Sequence, residues 1–190
     1  MSVHLTGDPA ADALLSEDPL ALLIGMLLDQ QVPMETAFAG PAKIRDRVGS
    51  LDPAVLAGQD PGAFAAVFAT TPAVHRFPGA MAARTQKLCG RILDEWGGDA
   101  AAIWTRDAPD GTEVIRRLES LPGFGPQKAR ILLALLGKQC GVAPAGWREA
   151  SAPYGDPGSF RSVADVTDSA SLARVREFKR AAKAAARSEP

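Results

Sequence analysis

The chain has few cysteines and histidines, which limits the metal chemistry it can carry. Its 190 residues include two cysteines, Cys89 and Cys140, and two histidines, His4 and His75. Two thiols are too few for a disulfide framework, and an iron–sulfur cluster needs four cysteine ligands. The histidines are isolated in the sequence, which disfavours a zinc site. We therefore expect two reduced thiols and no metal held by side chains.

Long apolar runs and a secretory leader are also missing. The longest apolar stretch, Leu20 to Leu28, is much too short to span a bilayer and is predicted as a core helix. The N-terminus lacks the basic and apolar regions of a signal peptide. We therefore expect no membrane partner and a cytoplasmic location, associated with the nucleoid if the protein is bacterial. Nothing in the sequence demands a dimer, and we expect a monomer.

What is present is a series of helix signals, with no convincing alternating strand. A capping residue followed by proline suits the first helical turn, and apolar residues recur at helical spacing after such pairs. We predict an all-α fold of roughly eight to ten helices, given usual helix and loop lengths. It forms a single domain over residues 1–190, with one core or two small lobes sharing a cleft. The predicted starts are Asp8-Pro9, Asp18-Pro19, Asp52-Pro53, Asp60-Pro61 and Thr71-Pro72.

Charge is distributed unevenly along the chain. The net charge of −1 argues against a nucleic-acid partner. However, residues 1–74 hold three bases against nine acids, so the second part of the chain carries a balance of +5. Residues 168–190 are predicted to form a basic C-terminal helix and tail. Its bases (Arg174, Arg176, Lys179, Arg180 and Lys183) either contact a nucleic-acid backbone or only solubilise a terminal helix.

The most informative segment, residues 114–132, predicts a helix, a two-glycine turn and a second helix. Gly123 and Gly125 allow a tight turn that can approach a phosphate closely, and Pro126 begins the second helix at a position where its missing N–H is harmless. The free N–H groups at that helix start favour an anion. The alternative is a plain helical hairpin that happens to be rich in glycine. The predicted DNA-contacting residues are Leu121, Gly123, Phe124, Gly125, Gln127, Lys128 and Arg130, with Leu121 and Phe124 also expected to anchor the turn in the core.

The hairpin Leu121-Pro122-Gly123-Phe124-Gly125, followed by Lys128-Ala129, resembles that of the HhH-GPD DNA glycosylases, base-excision repair enzymes that include endonuclease III and the 3-methyladenine glycosylase II family. A second segment, Asp18-Pro19-Leu20 through Asp29-Gln30-Gln31-Val32, resembles the family's early helix and its glutamine turn. The resemblance covers about residues 18–136. It implies two helical lobes around a cleft and a partner that is double-stranded DNA containing a damaged base. The resemblance is compatible with a monovalent cation bound by the hairpin's backbone carbonyls. The iron–sulfur cluster of some members is not expected here, because the chain lacks the four cysteines, and this favours a similarity to the cluster-free alkylpurine glycosylases.

The resemblance assigns roles to the glutamine turn and to one hairpin position. Gln31 matches the wedge that fills the space left by an extruded nucleotide, with Gln30 bracing the turn. The alternative is a polar helix end without function. Gln127 occupies the position where bifunctional members hold a lysine, and glutamine cannot form a Schiff base with the sugar. We therefore expect a monofunctional enzyme that uses water to hydrolyse the N-glycosidic bond of a flipped damaged base, without lysine-dependent lyase activity.

The resemblance also implies a catalytic aspartate, and here the sequence departs from the family pattern. The family places this residue soon after the second hairpin helix, whereas the family-like run occurs later in this chain and contains Asp165 and then Asp168. Asp165 is the first candidate, and Asp168 is an alternative that could equally cap the following helix. The displaced aspartate leaves open an alternative function, a non-catalytic protein that recognises damage or binds DNA.

Residues 138–162 are predicted as a long loop because they are rich in glycine, proline and serine. The loop contains three aromatic residues, Trp147, Tyr154 and Phe160. They either form a lid over a flipped base or pack on the core.

Overall fold

The computed structural model describes residues 3–188, with side chains up to residue 185. Within this range all regular secondary structure is helical and no strand occurs, which confirms the predicted all-α class. A 3₁₀ turn, Val163–Asp165, precedes the last helix. The helices are α1 (Pro9–Glu17), α2 (Pro19–Leu28), α3 (Met34–Phe38), α4 (Gly40–Val48), α5 (Pro53–Ala57), α6 (Pro61–Ala69), α7 (Pro78–Trp96), α8 (Ala102–Thr105), α9 (Gly111–Glu119), α10 (Pro126–Gln139), α11 (Trp147–Ala150) and α12 (Ser169–Ser188).

Four of the five predicted aspartate-proline or threonine-proline starts are real helix starts. In each of them the aspartate side chain accepts a hydrogen bond from a backbone N–H of the first turn, which satisfies a donor that has no partner inside the helix. The prediction at Thr71-Pro72 is wrong. This pair lies in a turn, and the next helix begins at Pro78. Val74 and His75 are buried there, and these tertiary contacts override the local signal.

Helix α2 is the central element of the core. Every residue from Leu20 to Leu28 is buried, as its uninterrupted apolar sequence requires. It packs against α1, α3, α4 and α7. A Cβ added at Gly25 would lie 2.6 Å from the Phe38 ring, so this glycine lets α3 approach α2 closely. The buried apolar side chains form one connected cluster that extends from Val3 to Val175.

The C-terminal part of the chain packs around α10. This helix contacts α9, α11 and the 3₁₀ turn, and the 3₁₀ turn contacts α12. The predicted loop over residues 138–162 is less irregular than expected, because α10 continues through Gln139 and α11 interrupts the segment. Trp147 is buried against Gly137, where an added Cβ would lie 2.5 Å from its ring. This aromatic therefore packs on the core.

Over residues 3–188, no helix has the length and apolar character needed to cross a membrane.

Candidate nucleic-acid interface and cleft

The two-glycine turn between α9 and α10 is tight and leaves backbone N–H groups exposed at the start of α10. Gly123 has φ 83°, a left-handed conformation that glycine adopts without strain. Leu121 and Phe124 are buried, so their side chains anchor the turn and only their backbone can reach a ligand. Gly123 and Gly125 are exposed, and the backbone N–H groups of Gly123, Gly125 and Gln127 find no acceptor within residues 3–188. An anion could bind these donors at the positive end of α10.

The glutamine turn follows directly after α2. Gln31 is exposed and has φ 56°, an uncommon conformation for a residue with a side chain. Its amide makes no hydrogen bond within residues 3–185. Gln30 is fixed instead: its amide nitrogen donates to the Leu27 carbonyl over 2.8 Å, and its amide oxygen accepts from Arg84 over 3.0 Å. One glutamine therefore braces the turn and the other projects from it.

The hairpin and the glutamine turn meet at Leu27. Lys128 Nζ, in the first turn of α10, donates to the Leu27 carbonyl over 2.7 Å. A Cβ added at Gly123 would lie 2.4 Å from Leu27 Cδ1, so the hairpin also packs directly on this side chain. Because Gln30 donates to the same carbonyl, one backbone group near the end of α2 holds both segments in place.

A cleft of about 730 Å³ lies beside this junction. It is large enough for a small organic molecule or a nucleobase. Gln127 Nε2 donates to the Tyr154 hydroxyl over 3.0 Å within it. Apolar and polar groups both line the cleft: Met26, Asp29, Gln30, Gln31, Val32, Gln127, Lys128, Ile131, Pro153, Tyr154, Arg161, Phe178, Lys179 and Ala182.

Two titratable groups in the cleft have shifted pKa values. Burial raises the pKa of the Asp29 carboxyl above its ordinary value, although the charges of Lys179 and Lys128 partly offset this, and Glu35 adds to the rise. Burial lowers the pKa of Lys128 to about 8, against the opposing effect of Asp29 and with a smaller contribution from Arg84. The cleft is therefore a site where ionised groups are incompletely solvated.

Asp165 lies outside this cleft. Its Oδ1 accepts from Lys138 Nζ over 2.6 Å and from Ser159 Oγ over 3.0 Å. Its Oδ2 accepts from the backbone N–H groups of Arg161 and Ser162. With 3% of its side chain exposed, Asp165 ties residues 159–162 to α10 through Lys138. The catalytic role expected for it from the sequence finds no support in this geometry.

Asp168 also has a structural role, at the start of α12. Its carboxylate accepts from the backbone N–H of Ser171 over 2.7 Å, at the start of α12. Hydrogen bonds from the Ser171 backbone and side chain lower the pKa of Asp168. This contact matches the helix-capping alternative considered for the residue, and Asp168 is not among the residues that line the cleft.

Basic side chains occur on α7, α10 and α12. Arg84 of α7 bonds to the glutamine turn, and Arg130, predicted from the sequence to contact DNA, is exposed on α10. On α12, four bases line one shallow surface groove: Arg176, Lys179, Arg180 and Lys183. Arg176 also pairs with Glu35.

The chain matches no protein-family model. No curated protein and no solved structure is significantly similar to it either.

The structure adds a residue to the candidate site that the pattern of the sequence did not single out. Asp29 stands two positions before Gln31 and lines the cleft together with Gln127 and Lys128. Its position at the C-terminal end of α2, directly before the glutamine turn, was the available signal. Of the loop aromatics, Tyr154 lines the cleft, whereas Phe160 is half-buried with the Arg174 guanidinium 3.7 Å from its ring centroid.

Proposed function

We propose that this protein is a monofunctional DNA glycosylase of the HhH-GPD type, which hydrolyses the N-glycosidic bond of a damaged base in double-stranded DNA. The observation that carries the proposal is the junction at Leu27. A phosphate-binding hairpin and a projecting glutamine need a fixed relative position to act on one nucleotide. The Leu27 carbonyl, bonded to Lys128 and to Gln30, supplies that connection beside an open cleft.

DNA binding is assigned to the hairpin and to the basic groups around it. The N–H groups of Gly123, Gly125 and Gln127 would hold one phosphate at the start of α10. Arg130 and the bases of α12 would neutralise neighbouring phosphates. These contacts position the duplex but do not read its sequence, which suits an enzyme that must inspect every base pair.

Base extrusion is assigned to Gln31 and the cleft. A glycosylase must take the target nucleotide out of the stack and fill the resulting gap. Gln31 is free to do so, because its amide has no partner within residues 3–185 and the residue is exposed. The extruded base would enter the adjacent cleft and contact Tyr154 and Ile131.

Water is assigned as the nucleophile. Gln127 has no amine for a Schiff base, and its amide is bonded to Tyr154. Lys128 lies in the cleft, but its Nζ donates to the Leu27 carbonyl and braces the junction. The proposed reaction therefore releases the base and leaves an intact abasic site. The two cysteines of the chain provide no four-thiolate ligand set, so the proposal includes no iron–sulfur cluster.

The test is a single-turnover assay with duplexes that each contain one alkylated, deaminated or oxidised base. Released base is measured directly, and abasic sites are revealed by alkali. We expect base release from at least one duplex, alkali-dependent strand cleavage, and no protein adduct after borohydride reduction. A borohydride adduct at Lys128 would show that the enzyme uses an amine nucleophile instead of water.

A second candidate function is non-catalytic damage recognition. The observation that favours it is the structural engagement of both aspartates predicted from the sequence, Asp165 and Asp168. Tight, salt-dependent binding of damaged duplexes without base release from any substrate would support this second function and contradict the first.

A further inference from the structure

Asp29 differs from the aspartates that the sequence pattern had suggested. It follows the last residue of α2, is half-buried and lines the cleft. Its backbone N–H donates to the Gly25 carbonyl over 3.0 Å, which fixes its position at the helix end. Within residues 3–185, however, no group donates a hydrogen bond to its carboxylate.

The contrast with Asp165 indicates which carboxylate is available for chemistry. Asp165 accepts four hydrogen bonds, and its side chain is almost fully enclosed. Asp29 retains its acceptor positions, faces the cleft, and lies near Lys128 and Lys179, whose charges favour its ionised form. A half-buried carboxylate without a donor is costly to the fold, and such groups occur where a ligand or a reacting water completes the arrangement.

The position relative to the proposed substrate is also suitable. Asp29 precedes the projecting Gln31 by two residues, and both residues line the cleft. Gln127 of α10 also lines this cleft. A nucleotide that leaves the duplex next to Gln31 would therefore bring its sugar past Asp29.

We infer that Asp29 is the catalytic carboxylate of base release, an assignment that rests on the proposed glycosylase function. The water oxygen forms a bond to C1′ as the C1′–N bond breaks, and the bonding electron pair leaves with the base. Asp29 accepts the proton from the attacking water, and that proton then passes to the departed base. The carboxylate also stabilises the positive charge that develops on the sugar before the new bond is complete.

The test compares Asp29→Asn with wild type on a substrate that the wild type processes. Single-turnover base release should fall by about 100-fold or more, as for the loss of a general base. DNA affinity should stay unchanged or increase, because a negative charge is removed from the binding face. A purely structural role would instead weaken binding and thermal stability together. Base release that survives in Asp29→Asn would overturn the assignment while leaving the proposed function intact. No release by the wild type from any duplex would overturn the proposed function and this assignment with it.

A pH profile of single-turnover release provides a second readout, measured with saturating enzyme so that affinity does not enter. The base must be ionised, so the rate should fall as pH drops through the pKa of Asp29. Lys179→Met removes the largest positive influence on that carboxylate, and Lys128 and Glu35 remain. The midpoint of the acid limb should therefore move to higher pH. Lys87→Met, at an exposed position on α7, makes the same charge change away from the influences on Asp29 and should leave the midpoint in place. Equal midpoints in wild type and Lys179→Met would contradict the assignment.

Discussion

Lys128 Nζ donates a hydrogen bond to the Leu27 carbonyl over 2.7 Å, which joins the first turn of one helix to the last turn of another. The last carbonyls of a helix have no partner inside it, and a cation at that end is favoured by the helix dipole. The contact therefore stabilises α2 where the glutamine turn begins. It also holds a lysine in a partly buried position, which has a measurable consequence.

Substituting Lys128 should change stability in a pH-dependent way. The pKa of Lys128 is about 8 in the folded protein, below its ordinary value of 10.5, so the unfolded chain holds the proton more tightly. Below pH 8 Lys128 is charged in both the folded and the unfolded chain, so burial of its charge destabilises the fold by the full amount. This destabilisation decreases as pH rises toward 10.5. Loss of the hydrogen bond to Leu27 acts against the variant at both pH values, so the change in melting temperature caused by Lys128→Met should be more favourable at pH 7 than at pH 10. Lys87→Met, an exposed lysine on α7, should change little at either pH. An equal effect of Lys128→Met at both pH values would contradict this linkage.

Substitutions at the two hairpin glycines should have different effects, one on stability and the other on DNA binding. Gly123→Ala places a Cβ in the left-handed region and 2.4 Å from Leu27 Cδ1, and should lower the free energy of unfolding by about 1–2 kcal/mol. Gly125 has φ −89° and open space around an added Cβ. Gly125→Ala should leave unfolding by urea unchanged but weaken DNA binding, because the methyl group stands where a phosphate approaches. A stable Gly125→Ala protein with unchanged DNA affinity would place the phosphate elsewhere.

Asp165 should matter for stability. Asp165→Asn leaves Lys138 without its carboxylate in a largely buried position, where Lys138 is 16% exposed, and should cost about 3 kcal/mol in urea unfolding. Asp156→Asn is the matched control, because Asp156 is an exposed carboxylate of the same segment. It should change stability by less than about 0.5 kcal/mol. A loss of base release in a fully stable Asp165→Asn protein would restore the catalytic role predicted from the sequence.

The sequence predicts the helical class and the local signals well, and it predicts the contacts between segments poorly. Aspartate-proline starts are determined by capping within a few residues, so four of them could be recognised without the fold. Thr71-Pro72 carries the same kind of signal, but burial of Val74 and His75 decides its conformation. The role of Asp165 depends on Lys138, which is 27 positions away in the chain.

In the candidate site, too, the local patterns could be predicted from the sequence but the contacts between segments could not. The hairpin and the glutamine turn were each visible as local patterns of glycine, proline and glutamine. Their junction was not, because the bond from Lys128 to Leu27 spans 101 positions. The accessibility of Asp29 depends on which donors lie nearby, and a sequence pattern does not report the absence of a hydrogen bond.

The basic C-terminal helix should contribute to the salt dependence of DNA binding. Removing the residues after Phe178 deletes Lys179, Arg180 and Lys183, three bases of the α12 groove. The slope of log affinity against log salt should become shallower by about 0.9 for each phosphate that the shortened protein no longer neutralises. Arg45→Ala on α4, in the acidic half of the chain, should leave the slope unchanged. An unchanged slope after truncation would mean that the helix only solubilises the protein.

Gln31 should be needed for base release from duplex DNA but not for the chemistry itself. Gln31→Ala retains a Cβ at φ 56° and should leave stability unchanged, whereas Gln31→Gly relieves a backbone strain of about 1 kcal/mol at the expense of greater freedom in the unfolded chain. Both variants remove the amide that would fill the stack, so both should release base more slowly from a duplex. On a single-stranded substrate no gap has to be filled, and both should match the wild type. Measuring single-turnover release on the same damaged base in both contexts separates the two steps. An equal loss of rate on single- and double-stranded substrates would mean that Gln31 acts on the sugar or base directly. Variants that match the wild-type rate on both substrates would remove the wedge from the proposed mechanism.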